Sequence, residues 1–230
     1  MTEVVHRVMP TILLIRHGES LSNAGLPTSS PKFVELTERG VEQAENVAEF
    51  LKSQFSPELI VTSSYERTKQ TALPTKSIFR HIPEEEWPVH EFTYLSSWHK
   101  ESSTVEDRRE YVEGYWELSN PVYSDGPESE TFEQFIKRAQ KVMIRLKNTT
   151  RDTVTIFSHQ QFICALLWLS QQDQLDLCSD TMKNFKDFLA SNSVPNGAIV
   201  QVKFRDSRDR WQSELITSHL NDSVPTLGRG

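Results

Sequence analysis

Three times in this chain a short run of apolar β-formers ends on reactive or hydroxylated side chains and gives way to a helical pattern. The runs are Ile12–Ile15 before Arg16-His17-Gly18-Glu19, Leu59–Val61 before Thr62-Ser63-Ser64, and Thr153–Phe157 before Ser158-His159. Apolar runs this short, bounded by polar and turn-forming residues, read as buried strands. Strands that alternate with helices are satisfied by a parallel sheet covered on both faces. The expected fold is therefore α/β: a three-layer sandwich with a mixed, mostly parallel sheet between helices. Ligands bind at the carboxyl ends of strands in such sheets, so the residues that close the three runs are the first candidates for a site.

The first of these ends carries the most specific chemistry. A cation beside an imidazole disfavours imidazolium, so His17 next to Arg16 is expected to stay neutral and nucleophilic while the guanidinium offers an oxyanion a planar fork of donors. Gly18 serves either a close backbone approach or a positive φ. At the third end, His159 opens a helix, where free backbone amides make an anion site. Arg67 falls in the first turn of the helix after the second strand, within reach of the same sheet edge.

Between these points the residues of 24–33 read as a loop rich in Gly, Pro and Ser at the mouth of the strand end. A helix follows Thr37, with Val41, Ala44, Val47, Ala48, Leu51 and Phe55 at helical spacing until Pro57. The next helix runs from about Tyr65 towards Ser77, with the hydroxyls of 62–64 as its expected cap. Trp87–His90 is expected to form a strand that delivers Glu91 at its end. The aromatic and charged stretch 92–127 lacks a clean period and reads as an insertion over the site, helical from Thr104 to Leu118, with half or more of its aromatics serving only to seat it. Thr131 and Gln134 make a capping box for the most regular helix. A helix over Phe162–Leu169, a short one within 171–192, and a hairpin of Ala198–Phe204 and Trp211–Ile216 turning at 206–209 complete the pattern, the hairpin closing one sheet edge. From Ser218 to Gly230 the composition suggests a flexible tail.

Length and composition narrow the function. The 230 residues suffice for one domain, 1–230, with the insertion at about 92–127. A net charge of −7 argues against a nucleic-acid or membrane-surface role. Only Cys164 and Cys178 are present, the first in an apolar run, and 1–10 lacks the core of a signal peptide; both features point to a soluble cytoplasmic protein. A zinc site from His17, His159 and Glu91 is opposed by Arg16 and Arg67, which would repel a dication.

Leu14-Ile15-Arg16-His17-Gly18-Glu19-Ser20 with Asn23, Leu36-Thr37 with Gly40 and Gln43-Ala44, Ser63 with Arg67 and Gln70-Thr71-Ala72, and Ser158-His159 occur in one order. Together they resemble the histidine phosphatase superfamily, of phosphoglycerate-mutase-like fold. The resemblance implies a phosphatase acting on phosphate monoesters of small molecules or phosphoproteins, without metal or organic cofactor. By it His17 becomes phosphohistidine, Arg16, Arg67 and His159 clamp the phosphoryl group, Asn23 adds a donor, and Glu91 is the general acid and base. Two departures stand out: Gln160 replaces the family's glycine after the second histidine and alters the pocket, and Phe92-Thr93-Tyr94-Leu95 replaces the family's glycine and tryptophan after the acid. Glu101, or an acid of Glu84–Glu86, competes with Glu91 for the proton-transfer role. The alternatives are a phosphoglycerate mutase and a phosphate-binding regulatory module with little turnover.

Overall fold

In a computed structural model, residues 9–96, 102–204 and 211–220 are described. Strands β1 (Thr11–Arg16), β2 (Leu59–Thr62), β3 (Glu84–Glu86), β4 (Thr153–Ser158), β5 (Ile199–Phe204) and β6 (Trp211–Ile216) form one sheet in the order β3-β2-β4-β1-β5-β6. The first four are parallel, and β5 and β6 run antiparallel to their neighbours at one edge. Helices α1 (Glu38–Gln54), α2 (Glu66–Ile78), α3 (Arg109–Leu118), α4 (Phe132–Lys147), α5 (Gln160–Leu169) and α6 (Ser179–Ser191) supply the outer layers.

β1 lies at the centre because both its faces are apolar. Ile12 and Leu14 join one core with α4, α5 and α6; Leu13 and Ile15 join a second with α1 and Ile60 of β2. All four are fully buried, each contributing roughly 1.5–3 kcal/mol. The register then sets the site. Arg16 pairs with Ser158 across two parallel strands, so the next residue on each, His17 and His159, emerges side by side. On the far side of β4, Thr62 pairs with Phe157 and brings Ser63 to the same edge.

The strand expected at Trp87–His90 is instead Glu84–Glu86, three residues earlier. Three exposed glutamates pair with Ile60–Thr62, and Lys76, Arg145 and Lys69 neutralise them in turn. A charged edge strand deters pairing with another sheet, whereas Trp87 and Val89 turn into the core around Pro88, which has no N–H for a ladder.

Other boundaries shift less. The insertion's helix begins at Arg109, after a turn in which Asp107 accepts from the backbone N–H and hydroxyl of Thr104. Phe92, Tyr94, Tyr115 and Trp116 pack together and Phe92 stacks on Phe135, seating the insertion on the body. α5 starts two residues early, at Gln160. Ser218–Leu220 are not frayed: His219 meets the Gly197 carbonyl and Leu220 packs against the core. The hairpin turn at 206–209, residues 1–8, Glu101 and the tail 221–230 lie outside the described residues. No helix among the described residues is long and apolar enough to cross a membrane.

Candidate active site

The loop after β1 is held in place before any side chain reaches for a ligand. Gly18 is there for close approach and not for a positive φ, because a Cβ on it would lie 2.4 Å from the Gly40 carbonyl oxygen. Its N–H donates to Thr71 Oγ1, and the Glu19 N–H donates to Gln43 Oε1. Thr37, the N-cap of α1, donates to the Glu19 carboxylate, and Gln70 accepts from the Leu36 N–H. The recurring motif residues around α1 and α2 are thus the fittings of this loop.

His17 is buried, with 3% of its surface exposed. Nδ1 lies 2.7 Å from the Gly18 carbonyl oxygen, which can only accept; Nδ1 therefore carries the proton and Nε2 presents its lone pair. That lone pair accepts from Arg67 Nε at 3.0 Å. Burial, and then Arg67 and Arg16, hold the imidazole well below its ordinary pKa, the Gly18 carbonyl acting in the opposite direction. Arg67 is itself buried, donates to the Pro31 carbonyl and lies over the Tyr65 ring. Arg16 donates through Nη1 to the Val194 carbonyl at 2.7 Å, and its buried Nε has no partner.

His159 is fully buried, its ring centroid 5.1 Å from that of His17. Nε2 lies 2.9 Å from Ser63 Oγ, whereas Nδ1 is buried without a partner. Ser63, expected as a helix cap, is thus spent on the second histidine. Its Oγ does accept the Tyr65 N–H, but α2 has no side-chain cap. The sequence signals for this role are the hydroxyl run 62–64 at a strand end and the place of Ser63 among the motif residues.

Glu91 reaches the site without a strand to carry it. Arg138 donates to the carbonyls of Pro88 and His90, Ser158 Oγ donates to the carbonyl of Val89, and a paired contact with Glu130 fixes Arg138. Oε1 of Glu91 accepts from the N–H groups of Phe92 and Gln161, the latter in the first turn of α5. Desolvation raises the carboxyl above its usual pKa, while Arg67, Arg16 and both backbone donors act to lower it. With Oε1 committed to donors, Oε2 is the oxygen left to carry a proton.

Two expected ligand contacts differ. The side chain of Gln160 is engaged elsewhere: Nε2 donates to the Asn192 carbonyl and Oε1 accepts from the Val194 N–H, bracing the segment that holds Arg16. Asn23 is exposed, and its Oδ1 accepts from Ser20 and Asn196. The acids of Glu84–Glu86 are on the sheet edge in ion pairs, away from the histidines. Beside the site a groove of about 480 Å³ is lined by Pro31, Lys32, Tyr65, His90, Thr93 and Glu130. Among the described residues no three His, Cys, Asp or Glu are grouped to hold a metal ion.

A family model of the histidine phosphatase superfamily (branch 1) matches residues 12–213. The adenosylcobalamin/alpha-ribazole phosphatase of Escherichia coli (strain K12) is 28% identical over 160 residues, 67% of this chain and 75% of that protein. Among solved structures, the alpha-ribazole phosphatase from Shigella flexneri superposes with a TM-score of 0.67 at 22% identity, covering 91% of this chain and 96% of the other. Mycobacterial glucosyl-3-phosphoglycerate phosphatase does so with a TM-score of 0.64 at 19% identity, covering 90% and 98%. At these identities the superpositions show the fold alone.

Proposed function

The chain belongs to the histidine phosphatase superfamily, and from that premise we propose that it hydrolyses phosphate monoesters through a phosphohistidine on His17. The observation that carries this reading is the grouping at one sheet edge of a lone-pair nitrogen, His17 Nε2, with Arg67, and of two residues that each hold a buried nitrogen without a protein partner, Arg16 at Nε and His159 at Nδ1. Buried nitrogens left without partners are costly unless a ligand completes them. A phosphoryl group supplies oxygens for each.

In this reading the cations offset the charge that repels nucleophiles from phosphate esters, so positioning and charge stabilisation provide most of the catalysis. Nε2 attacks phosphorus as the bond to the ester oxygen breaks. Glu91 Oε2 gives that oxygen its proton, then takes one from the water that splits the phosphohistidine, releasing inorganic phosphate. The raised carboxyl pKa suits the first half-reaction and the neighbouring arginines suit the second.

We assign the ester's organic part to the groove beside the site, built by the loop 24–33 and by the end of the insertion, Pro127–Glu130. A phosphorylated small molecule fits its size; a phosphoprotein side chain is the other source. Two free thiols accord with a cytoplasmic location. The test is phosphate release from a panel of phosphate esters, with rapid quenching to trap label on the protein. Acid-labile, base-stable label on His17 is expected. Turnover without such label would overturn the phosphohistidine step, and transfer between phosphoglycerates at a rate above hydrolysis would favour a mutase.

A further inference from the structure

A chain of three short contacts leads away from the phosphoryl pocket. His159 Nε2 lies 2.9 Å from Ser63 Oγ, Ser63 Oγ lies 2.8 Å from Thr68 Oγ1, and Thr68 Oγ1 lies 2.7 Å from the Tyr65 carbonyl oxygen. Each contact at such a distance needs one proton. The chain ends on a carbonyl, which has none, and the two hydroxyls supply two. The third must be on His159 Nε2. Were Nε2 the acceptor, one of the two oxygen–oxygen contacts would have no proton between its lone pairs. Ser63 has nothing further to offer, because its remaining lone pair takes the Tyr65 N–H at 3.1 Å.

A neutral imidazole protonated at Nε2 presents a bare lone pair at Nδ1. That is the buried nitrogen without a partner. Facing a phosphoryl oxygen, a lone pair repels, whereas a proton between the two makes a charge-assisted hydrogen bond. We propose that a phosphate monoester enters this pocket with one proton, which comes to rest between a phosphoryl oxygen and His159 Nδ1, and that Ser63 and Thr68 are positioning residues that enforce this by fixing the tautomer of His159. The inference rests on the phosphomonoesterase reading of the same site. In the proton's transfer an N–H bond forms at Nδ1 as the O–H bond of the monoanionic ester, or of hydronium, breaks.

The surroundings oppose a charge on His159 until the anion arrives. Arg67 of α2, His17 of the loop after β1, His90 of the segment before Glu91 and Arg138 of α4 all face it, and the Tyr65 ring meets it edge-on. Burial first, and then these groups, keep His159 well below the ordinary imidazole pKa. Affinity for phosphate should accordingly fall about tenfold per pH unit once both the ligand's second ionisation, about 6 for a phosphate ester, and His159 itself are deprotonated.

Methylphosphonate is the probe, because like a phosphate ester it has no O–H left once doubly ionised; it is added to the full chain labelled with nitrogen-15 in its histidines. Nitrogen shifts should show His159 protonated at Nε2 alone in the free protein and at both nitrogens when the phosphonate saturates it. Calorimetry at pH 8 in buffers of different ionisation heat should count one proton taken up per phosphonate dianion bound. Ser63→Ala removes the acceptor, and Thr68→Val, which leaves the imidazole untouched, frees the Ser63 proton to turn towards Nε2. Either variant lets Nδ1 carry the single proton, so uptake should drop below one and the pH dependence should flatten. Weakening by one factor at every pH, as a purely structural role would give, overturns the proposal. So does an Nδ1-protonated tautomer in the free wild type, or the phosphonate dianion bound beside a neutral His159. Those results leave ester hydrolysis standing, whereas a wild type that hydrolyses no ester defeats the functional reading and leaves the proton count to be read by itself.

Discussion

Arg67 Nε donates to His17 Nε2 across 3.0 Å, so the lone pair that the proposed mechanism aims at phosphorus is engaged by the cation proposed to bind the phosphoryl group. The contact holds the imidazole in its Nδ1-protonated tautomer and keeps it neutral. In the proposed mechanism a phosphoryl group enters between the two, exchanging an N–H···N bond for N–H···O bonds to an anion.

Arg67→Ala is therefore expected to weaken both substrate binding and turnover. A charge-assisted hydrogen bond is worth about 1.5–3 kcal/mol, roughly 10- to 150-fold in kcat/KM. Arg67→Lys should recover only part, because an ammonium replaces a planar fork. Steady-state kinetics on one ester checks this, and wild-type rates in the lysine variant would show that the fork is not used.

His17→Ala should lose turnover while the fold and some phosphate affinity persist, since only the nucleophile is removed. The wild type carries a companion expectation about pH. Because the folded imidazole titrates well below 6.5, kcat/KM should show no loss of nucleophile as pH falls through 6.5. An acid limb centred there on p-nitrophenyl phosphate, absent from the substrate's own ionisation, would mean that His17 titrates normally.

Stability should respond to acid in the direction that the buried histidines set. His90, stacked on Tyr65, is pulled down to about 3 by burial and then by Arg138. Between about 6.5 and 3 the unfolded chain binds a proton that the folded one refuses, so stability is lost as pH falls across that window. The contribution is at most a few kcal/mol. His90→Phe keeps the ring contact and should flatten that part of the acid branch in urea titrations at pH 7 and pH 4; an unchanged difference between the two pH values would refute it.

The sequence makes the strand ends legible because apolar runs and the residues after them are local signals. His17 and His159 stand out as candidates in that way and Arg67 by its place in the first turn of the helix after the second strand, and the register Arg16↔Ser158 brings the two histidines together. The sequence predicts a strand at Trp87–His90 to deliver Glu91, whereas that segment is held by Arg138 and Ser158 from elements 48 to 69 residues away. Side-chain tethers of that separation leave no periodicity. A run of three glutamates likewise gives no strand signal, since its pairing depends on the neighbouring β2 and on cations from α2 and α4. Ser63 reads from the sequence as a helix cap and not as a partner of His159, because a hydroxyl at a strand end looks the same in either role.

Those tethers yield a prediction of their own. Arg138→Leu removes two bonds to the carbonyls beside Glu91 and leaves the largely buried Glu130 without its partner. Breaking such a pair costs about 3–5 kcal/mol in the fully buried limit, so the variant should unfold at lower urea. Among the folded molecules, alkyl phosphates should slow more than p-nitrophenyl phosphate. Equal slowing of both would make Arg138 a support of the fold only.

Glu91→Gln tests the acid directly. An alkyl phosphate needs its leaving alkoxide protonated, whereas p-nitrophenolate leaves unaided, so the alkyl ester should slow much more. Gln keeps an oxygen to accept the Phe92 and Gln161 N–H groups, and its NH2 takes the place of Oε2, which isolates the loss of the proton from loss of position. Raising pH through the carboxyl's elevated pKa should depress the alkyl ester first in the wild type, and that difference should vanish in the variant. Slow hydrolysis of phosphohistidine limits both esters alike and hides the first step, so formation of the labelled protein in a single turnover is the quantity to measure. If labelling by the two esters slows equally, Glu91 does not donate the proton, and Glu101, whose position lies outside the described residues, becomes the acid to replace.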